Sequence, residues 1–145
     1  MPDGAGVVLS DRATGRRNAR QFAVSKTERI NMIAVLFESW PKQGKSDVYL
    51  DMGQRMNALA EGVDGFISIE RFRSVNNEGK MLAVSYWRDE EAVNTFRNLV
   101  EHRAVQNGSR QTVFTDYHVR IASVLRQYGM RDRAEAPEDS RHAVG

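Results

Sequence analysis

His102, Arg103 and Tyr86 are the side chains whose types and positions could do chemistry on a bound small molecule. Imidazole exchanges protons near neutral pH and would accept one from a bound molecule. Of the histidines at 102, 118 and 142, only His102 falls in a segment with helical periodicity. On a wheel of roughly 100° per residue it lies about 80° from Ala92, on the flank of the apolar side. It either serves as a proton acceptor or hydrogen-bonds locally, to Glu101 or a backbone carbonyl. Arg103 projects within about 20° of the same apolar centre, where an unpaired guanidinium is costly. It either pairs with an acid such as Glu70 or points into a pocket and holds an anionic group. Tyr86 and Trp87 are neighbours on a strand and project to opposite faces, so one is expected at a pocket and the other at an interface, unless both are core. Arg71, His118 and Arg120 also fall on strands and are compatible with pocket, edge or interface. Histidines this far apart, in a chain with no cysteine, show no metal-ligand spacing. The glycines of "NNEG" and "QNGSR" lack the strand, loop and helix context of a phosphate cradle. Met32, Met52, Met56 and Met81 are read as gap fillers.

These side chains need elements to carry them. "INMIAVLFESW" (30–40) is β-branched, aromatic and nearly continuous in apolar character, which predicts a strand buried on both faces that stops at Pro41. Ser46 is the expected N-cap of a helix whose apolar side is Val48, Met52, Met56 and Leu59, closed by Gly62 at C′. "GFISIERFRSV" (65–75) and "KMLAVSYW" (80–87) read as antiparallel strands joined by the turn "NNEG" (76–79). Asp89 is placed to cap a second helix with Ala92, Phe96, Leu99, Val100 and Arg103 on one side, ending at Gly108. "TDYHVRIASVLRQY" (115–128) alternates as a fourth strand. The order β-α-β-β-α-β is that of an α+β, ferredoxin-like protomer, an antiparallel sheet with both helices on one face. Its strands are apolar on both sides. Ile67 and Ile69 oppose Phe66 and Phe72, while Leu82, Val84 and Tyr86 oppose Met81, Ala83 and Trp87. Two helices cover one face only, so the other is expected to pair with a second copy in a homodimer.

The chain of 145 residues, 41% of them apolar, suits one domain. Residues 1–29 carry six Lys/Arg against three Asp/Glu, residues 30–130 twelve against twelve, and residues 131–145 three against four. The folded part is neutral, without the basic stripe of a nucleic-acid binder. No apolar run reaches the ~18 residues of a membrane helix, and the absence of cysteine suits a cytoplasmic protein. The expected division is a flexible extension over 1–29, the domain over 30–130 and a disordered tail over 131–145.

In order along the chain, "GFISIERFRS", "GKMLAVSYWRDEEAV", "EHRAVQNGSR" and "FTDYHVRIASVLRQYG" resemble the antibiotic biosynthesis monooxygenase (ABM) family over residues 32 to about 130. The resemblance implies a dimeric α/β barrel with a pocket between sheet and helices in each subunit. It implies O2-dependent oxidation of a small phenolic or quinol-like aromatic molecule with no cofactor, with His102 or Tyr86 aiding proton removal. Substrate contacts are then expected from Phe37, Arg71, Trp87, Phe96, Arg103 and Gln106. A branch of the same resemblance degrades haem, using an asparagine, a tryptophan and a histidine; those sites fall here on Phe37, Phe96 and Gln106. Glutamine is a poor axial ligand for iron where imidazole is a normal one, so haem binding is the alternative rather than the first expectation. A non-catalytic small-ligand or stress-related dimer is the other.

Overall fold

The computed structural model describes residues 31–107 and 113–141, with the side chains of 105–107 excepted. Its elements are β1 (Ile33–Pro41), α1 (Ser46–Glu61), β2 (Phe66–Arg73), β3 (Met81–Trp87), α2 (Glu90–Asn107), β4 (Phe114–Ser123) and a short α3 (Glu138–Arg141). The strands form one antiparallel sheet in the order β2-β3-β1-β4. This is the ferredoxin-like arrangement read from the sequence. No described helix is long and apolar enough to cross a membrane. The expected extension over 1–29 lies outside the described residues, as does Gly108.

Both helices lie on one side of the sheet because their small and apolar residues meet the same strand positions. One apolar cluster joins Ala60 of α1 and Ala92 and Val93 of α2 to Ile33 and Trp87, with Val63 between them. A second joins Tyr49 of α1 to Met81 and Val113. On β3 the alternation is complete: Met81, Ala83, Ser85 and Trp87 are buried while Leu82, Val84 and Tyr86 are half-buried. Asp89 caps α2 as expected, its carboxylate accepting from the Ala92 N–H at 2.9 Å. That bond, foremost among its interactions, holds the Asp89 carboxyl below the ordinary range.

Several local expectations change. Ser46 is the first helical residue of α1 rather than its cap, Lys45 precedes it with no side-chain cap, and Gly62 closes the helix at φ −82°, right-handed. The buried stripe of α1 is Tyr49, Gly53 and Ala60, one residue on from Val48, which is 43% exposed. Tyrosine and glycine do not count as apolar in a simple pattern, yet one supplies a ring and the other permits close approach. In β2 the register shifts between Phe66 and Ser68, so Phe66 stands opposite Trp87 on the helix side while Phe72 stands opposite Leu82 on the other. A bulge of this kind reverses the side that alternation assigns. The fourth strand ends at Ser123 rather than 128. Beyond it the chain, expected to be disordered from 131, turns back on itself: Gly129 N–H donates to Asp132 C=O, Arg133 lies over the Tyr128 ring, and Ala136 is buried.

Candidate functional site

Residues paired across the strands divide the helix-covered face of the sheet into rows. From β2 to β4 these run Arg73, Met81, Ser39, Tyr117; then Arg71, Ala83, Phe37, Val119; then Ile69, Ser85, Val35, Ile121. The last row runs into the first apolar cluster through Val35, and Met81 belongs to the second. The middle row belongs to neither cluster. Because α1 packs on β2 and α2 on β3, the inner side of β4 stays open, with Tyr117, Val119 and Ile121 at 42%, 43% and 54% exposed. The candidate site is the space over this middle row, a cradle with Ala83 beneath it and its β4 side exposed.

Aromatic rings wall one end. Phe37 stacks on Tyr117 with centroids 5.4 Å apart and planes at 20°, and meets Phe114 edge-on at 5.7 Å. Phe114 in turn meets Tyr49 at 6.0 Å. Such offset and T-shaped contacts fix ring orientation and present flat apolar surface. At the other end stands the Arg71 guanidinium, donating from Nη1 to Asn57 Oδ1 at 2.6 Å. It crosses directly beneath Gly53 of α1, where an added Cβ would come within 2.8 Å of Nε. Burial pushes the Arg71 pKa down, with Tyr49 acting against that shift. The hydroxyls of Tyr49 and Ser39, both buried, have no hydrogen-bond partner.

The structure brings together some of the expected site residues and separates others. Phe37 and Arg71 share the middle row. Phe96 packs on Trp87 at 4.8 Å, against the first apolar cluster. Trp87 itself is core: it has no exposed surface, its indole N–H is donated to Ser85 Oγ at 2.8 Å, and Phe66 and Phe96 cover it. Tyr86 pairs with Ala34 on the opposite face, away from Phe37 and Phe96, so it and His102 cannot share one cavity of a protomer. His102 and Arg103 are exposed on α2. Arg103 is exposed although the wheel keeps it on the side of Ala92, because the fully buried residues of α2 are confined to its first turn, Ala92 and Val93, and Leu99 further along is already 39% exposed. The side chain of Gln106 lies outside those described. His118 and Arg120 stand on the outer face, opposite Glu38 and Leu36, where Arg120 and Lys80 pair with Glu38 at 3.2 and 3.5 Å. Sequence reading missed Phe114, Tyr117, Tyr49 and Asn57. Alternation along "FTDYH" puts Tyr117 on the face of Val119, whereas Phe114 falls on the other side of that count and joins it only through the register shift at Trp40/Pro41; Tyr49 and Asn57 needed the fold.

Residues 32–108 match the antibiotic biosynthesis monooxygenase family. The chain belongs to that family. It is 34% identical over 93 residues to the jasmonate monooxygenase ABM of Pyricularia oryzae, covering 64% of this chain and 43% of that protein. The chain therefore spans less than half the length of that relative. It is also 34% identical over 104 residues to the YqjZ protein of Bacillus subtilis, covering 72% of this chain and 89% of that one. Among solved structures it is similar to a mutant of SnoaB, a cofactor-independent oxygenase from Streptomyces nogalater, with a TM-score of 0.55 and 11% identity over 67% of this chain and 96% of that chain. A conserved protein from Methanosarcina mazei aligns with a TM-score of 0.57 and 12% identity, over 66% and 94%. At such identities the structural likeness speaks to the ABM fold alone. Haem, used by one branch of the sequence resemblance, does not fit the residues described: Phe37 and Phe96 replace polar and indole groups, and the α2 imidazole is exposed. No step is derived through it.

Proposed function

We propose that the protein is a monooxygenase that oxidises a small phenolic or quinol-like ring compound with O2 and no bound cofactor, holding it in the cradle between Phe37 and Arg71. The observation that carries this reading is the row Arg71, Ala83, Phe37, Val119, which sits between the two apolar clusters and is walled by Phe37, Phe114 and Tyr117. Flat apolar walls with few polar groups suit a planar ring. A relative named jasmonate monooxygenase and a structural neighbour described as a cofactor-independent oxygenase favour oxygenation over binding alone. In such a reaction the substrate loses a proton to give an enolate, which passes electrons to O2. At a CH2 carbon that becomes C=O, a C–O bond forms and the O–O bond breaks. One oxygen stays in the product, the other leaves as water with the two hydrogens, and the substrate supplies all four electrons. His102, exposed on α2, is assigned as the proton acceptor.

An oxygen electrode tests this with 1,8-dihydroxyanthrone and a panel of hydroquinones. Uptake of one O2 per anthrone converted is expected, with His102→Ala lowering the rate roughly a hundredfold. Absence of uptake across the panel sinks the reading, and a Soret shift on adding haem that His102→Ala abolishes replaces it with the haem one.

The outer sheet face, with Leu36, Leu82, Val84 and Tyr86 half-buried and Phe72 45% exposed, is proposed as the homodimer interface. A bare apolar sheet face in water favours association. Light scattering at micromolar concentration should give twice the mass of one chain, and Val84→Lys should halve it; a monomeric parent protein defeats the assignment.

A further inference from the structure

We infer that Arg71 and the Tyr49 hydroxyl form a carboxylate-recognition end of the cradle, so that the molecule it takes is an apolar ring carrying a carboxylate. The inference rests on the cradle being the substrate site and narrows what enters it.

Arg71 is a half-buried cation whose hydrogen-bond partner is neutral, Asn57 Oδ1 at 2.6 Å, with the Tyr49 phenol near it. The same chain shows what a structural arginine does. Arg88 is held by Asp64 and Asp89 at 3.0 and 3.2 Å. Removing a guanidinium from water without a counter-ion is unfavourable, and guanidinium does not escape the cost by losing its proton. The fold nevertheless makes room for it. At Gly53, which is buried on α1, a methyl group would come within 2.8 Å of Arg71 Nε and 2.9 Å of Cζ, so any side chain there would push the guanidinium off its seat. Asn57, one turn further along α1, takes one N–H and fixes the plane.

Beside it, Tyr49 is 5% exposed and its hydroxyl makes no hydrogen bond. A buried hydroxyl with no partner costs roughly 1–3 kcal/mol, which a partner would recover. Guanidinium and phenol here are both spare donors, and what they lack is an acceptor. A carboxylate has two oxygens and accepts from both, in the planar geometry guanidinium favours. Across the floor, Phe37 is two strands from Arg71 with only Ala83 between them. That separation, about 10 Å between backbones, spans an aryl ring and its acid group.

The test compares 2-naphthoate with its neutral isostere 2-naphthylmethanol by isothermal titration calorimetry on the full chain, without turnover. The parent protein should bind the acid roughly tenfold to a hundredfold more tightly than the alcohol. Arg71→Gln should remove that preference while leaving affinity for the alcohol within about twofold, Arg71→Lys should restore part of it, and Tyr49→Phe should weaken the acid alone. A merely structural arginine would move stability without moving the ratio. Equal affinity for acid and alcohol in the parent protein, or binding of neither, overturns the proposal whatever the variants do. So does a preference that survives Arg71→Gln in folded protein. Acid preference without any O2 uptake by the parent protein would leave this site standing and the oxygenase reading fallen.

Discussion

Trp87→Ala is expected to cost about 3–5 kcal/mol of stability and to lower the melting temperature by on the order of 15 °C or more. Trp87 has no exposed surface and sits between Phe66, with centroids 5.3 Å apart, and Phe96, at 4.8 Å. The indole is the largest fully buried side chain among the described residues. Its removal opens a cavity where β1, β2, β3 and both helices meet, and the surrounding backbone is too constrained by the sheet to collapse into it. The buried Ser85 hydroxyl would also lose the N–H that donates to it. Trp40 provides the internal control. It lies on the outer face, partly exposed, with Lys80 5.1 Å from its ring, and Trp40→Ala should cost clearly less than Trp87→Ala. Urea denaturation followed by circular dichroism separates the two. A Trp87→Ala protein within about 1 kcal/mol of the parent would mean that the indole lines an adaptable pocket, as sequence reading allowed, and that the core is elsewhere.

That example marks where legibility ended. The element order could be read because each strand and helix carries its own period, and because Pro41, Asp89 and the Asn-Asn-Glu-Gly turn punctuate them; Gly79 in that turn adopts φ +80°, which only glycine takes without strain. What alternation could not supply was a break in its own count. The register shift at Phe66/Ser68 sends Phe66 inward and leaves Phe72 outward, and nothing local to "GFISIE" announces it. The α1 stripe was displaced for a different reason. Its buried members include Gly53, whose value lies in the side chain it lacks, and which matters only because Arg71, distant in sequence, crosses beneath it. Candidate site residues divided along the same line. Arg71 was reachable as a charged residue on a strand and Phe37 through the position it takes in the family resemblance, and they share a row. Tyr86 and Trp87 were correctly sent to opposite faces, yet burial decides that the inward one is core. The partners that orient Arg71, Asn57 and Tyr49, are contacts between elements and have no signature in the sequence around either.

Ala83→Leu should abolish ligand binding in the cradle, by a hundredfold or more in affinity for 2-naphthoate, while leaving the fold within about 1 kcal/mol of the parent. The expectation follows from the floor. Ala83 is 8% exposed, stands between Arg71 and Phe37 across the sheet, and belongs to neither apolar cluster. Opposed positions of this kind have Cβ atoms roughly 5 Å apart, so a leucine at 83 projects its branched end into the space between guanidinium and ring. If that space is a ligand cavity, the added methyl groups occupy it without displacing protein, and their burial offsets the ordering of the longer side chain. If it is ordinary interior packed by neighbouring side chains, the same substitution overpacks a central strand and costs about 1–3 kcal/mol. Stability and affinity therefore move in opposite combinations under the two readings. A destabilised Ala83→Leu protein that still bound 2-naphthoate would place the ligand elsewhere and remove the basis for both the substrate site and its acidic specificity.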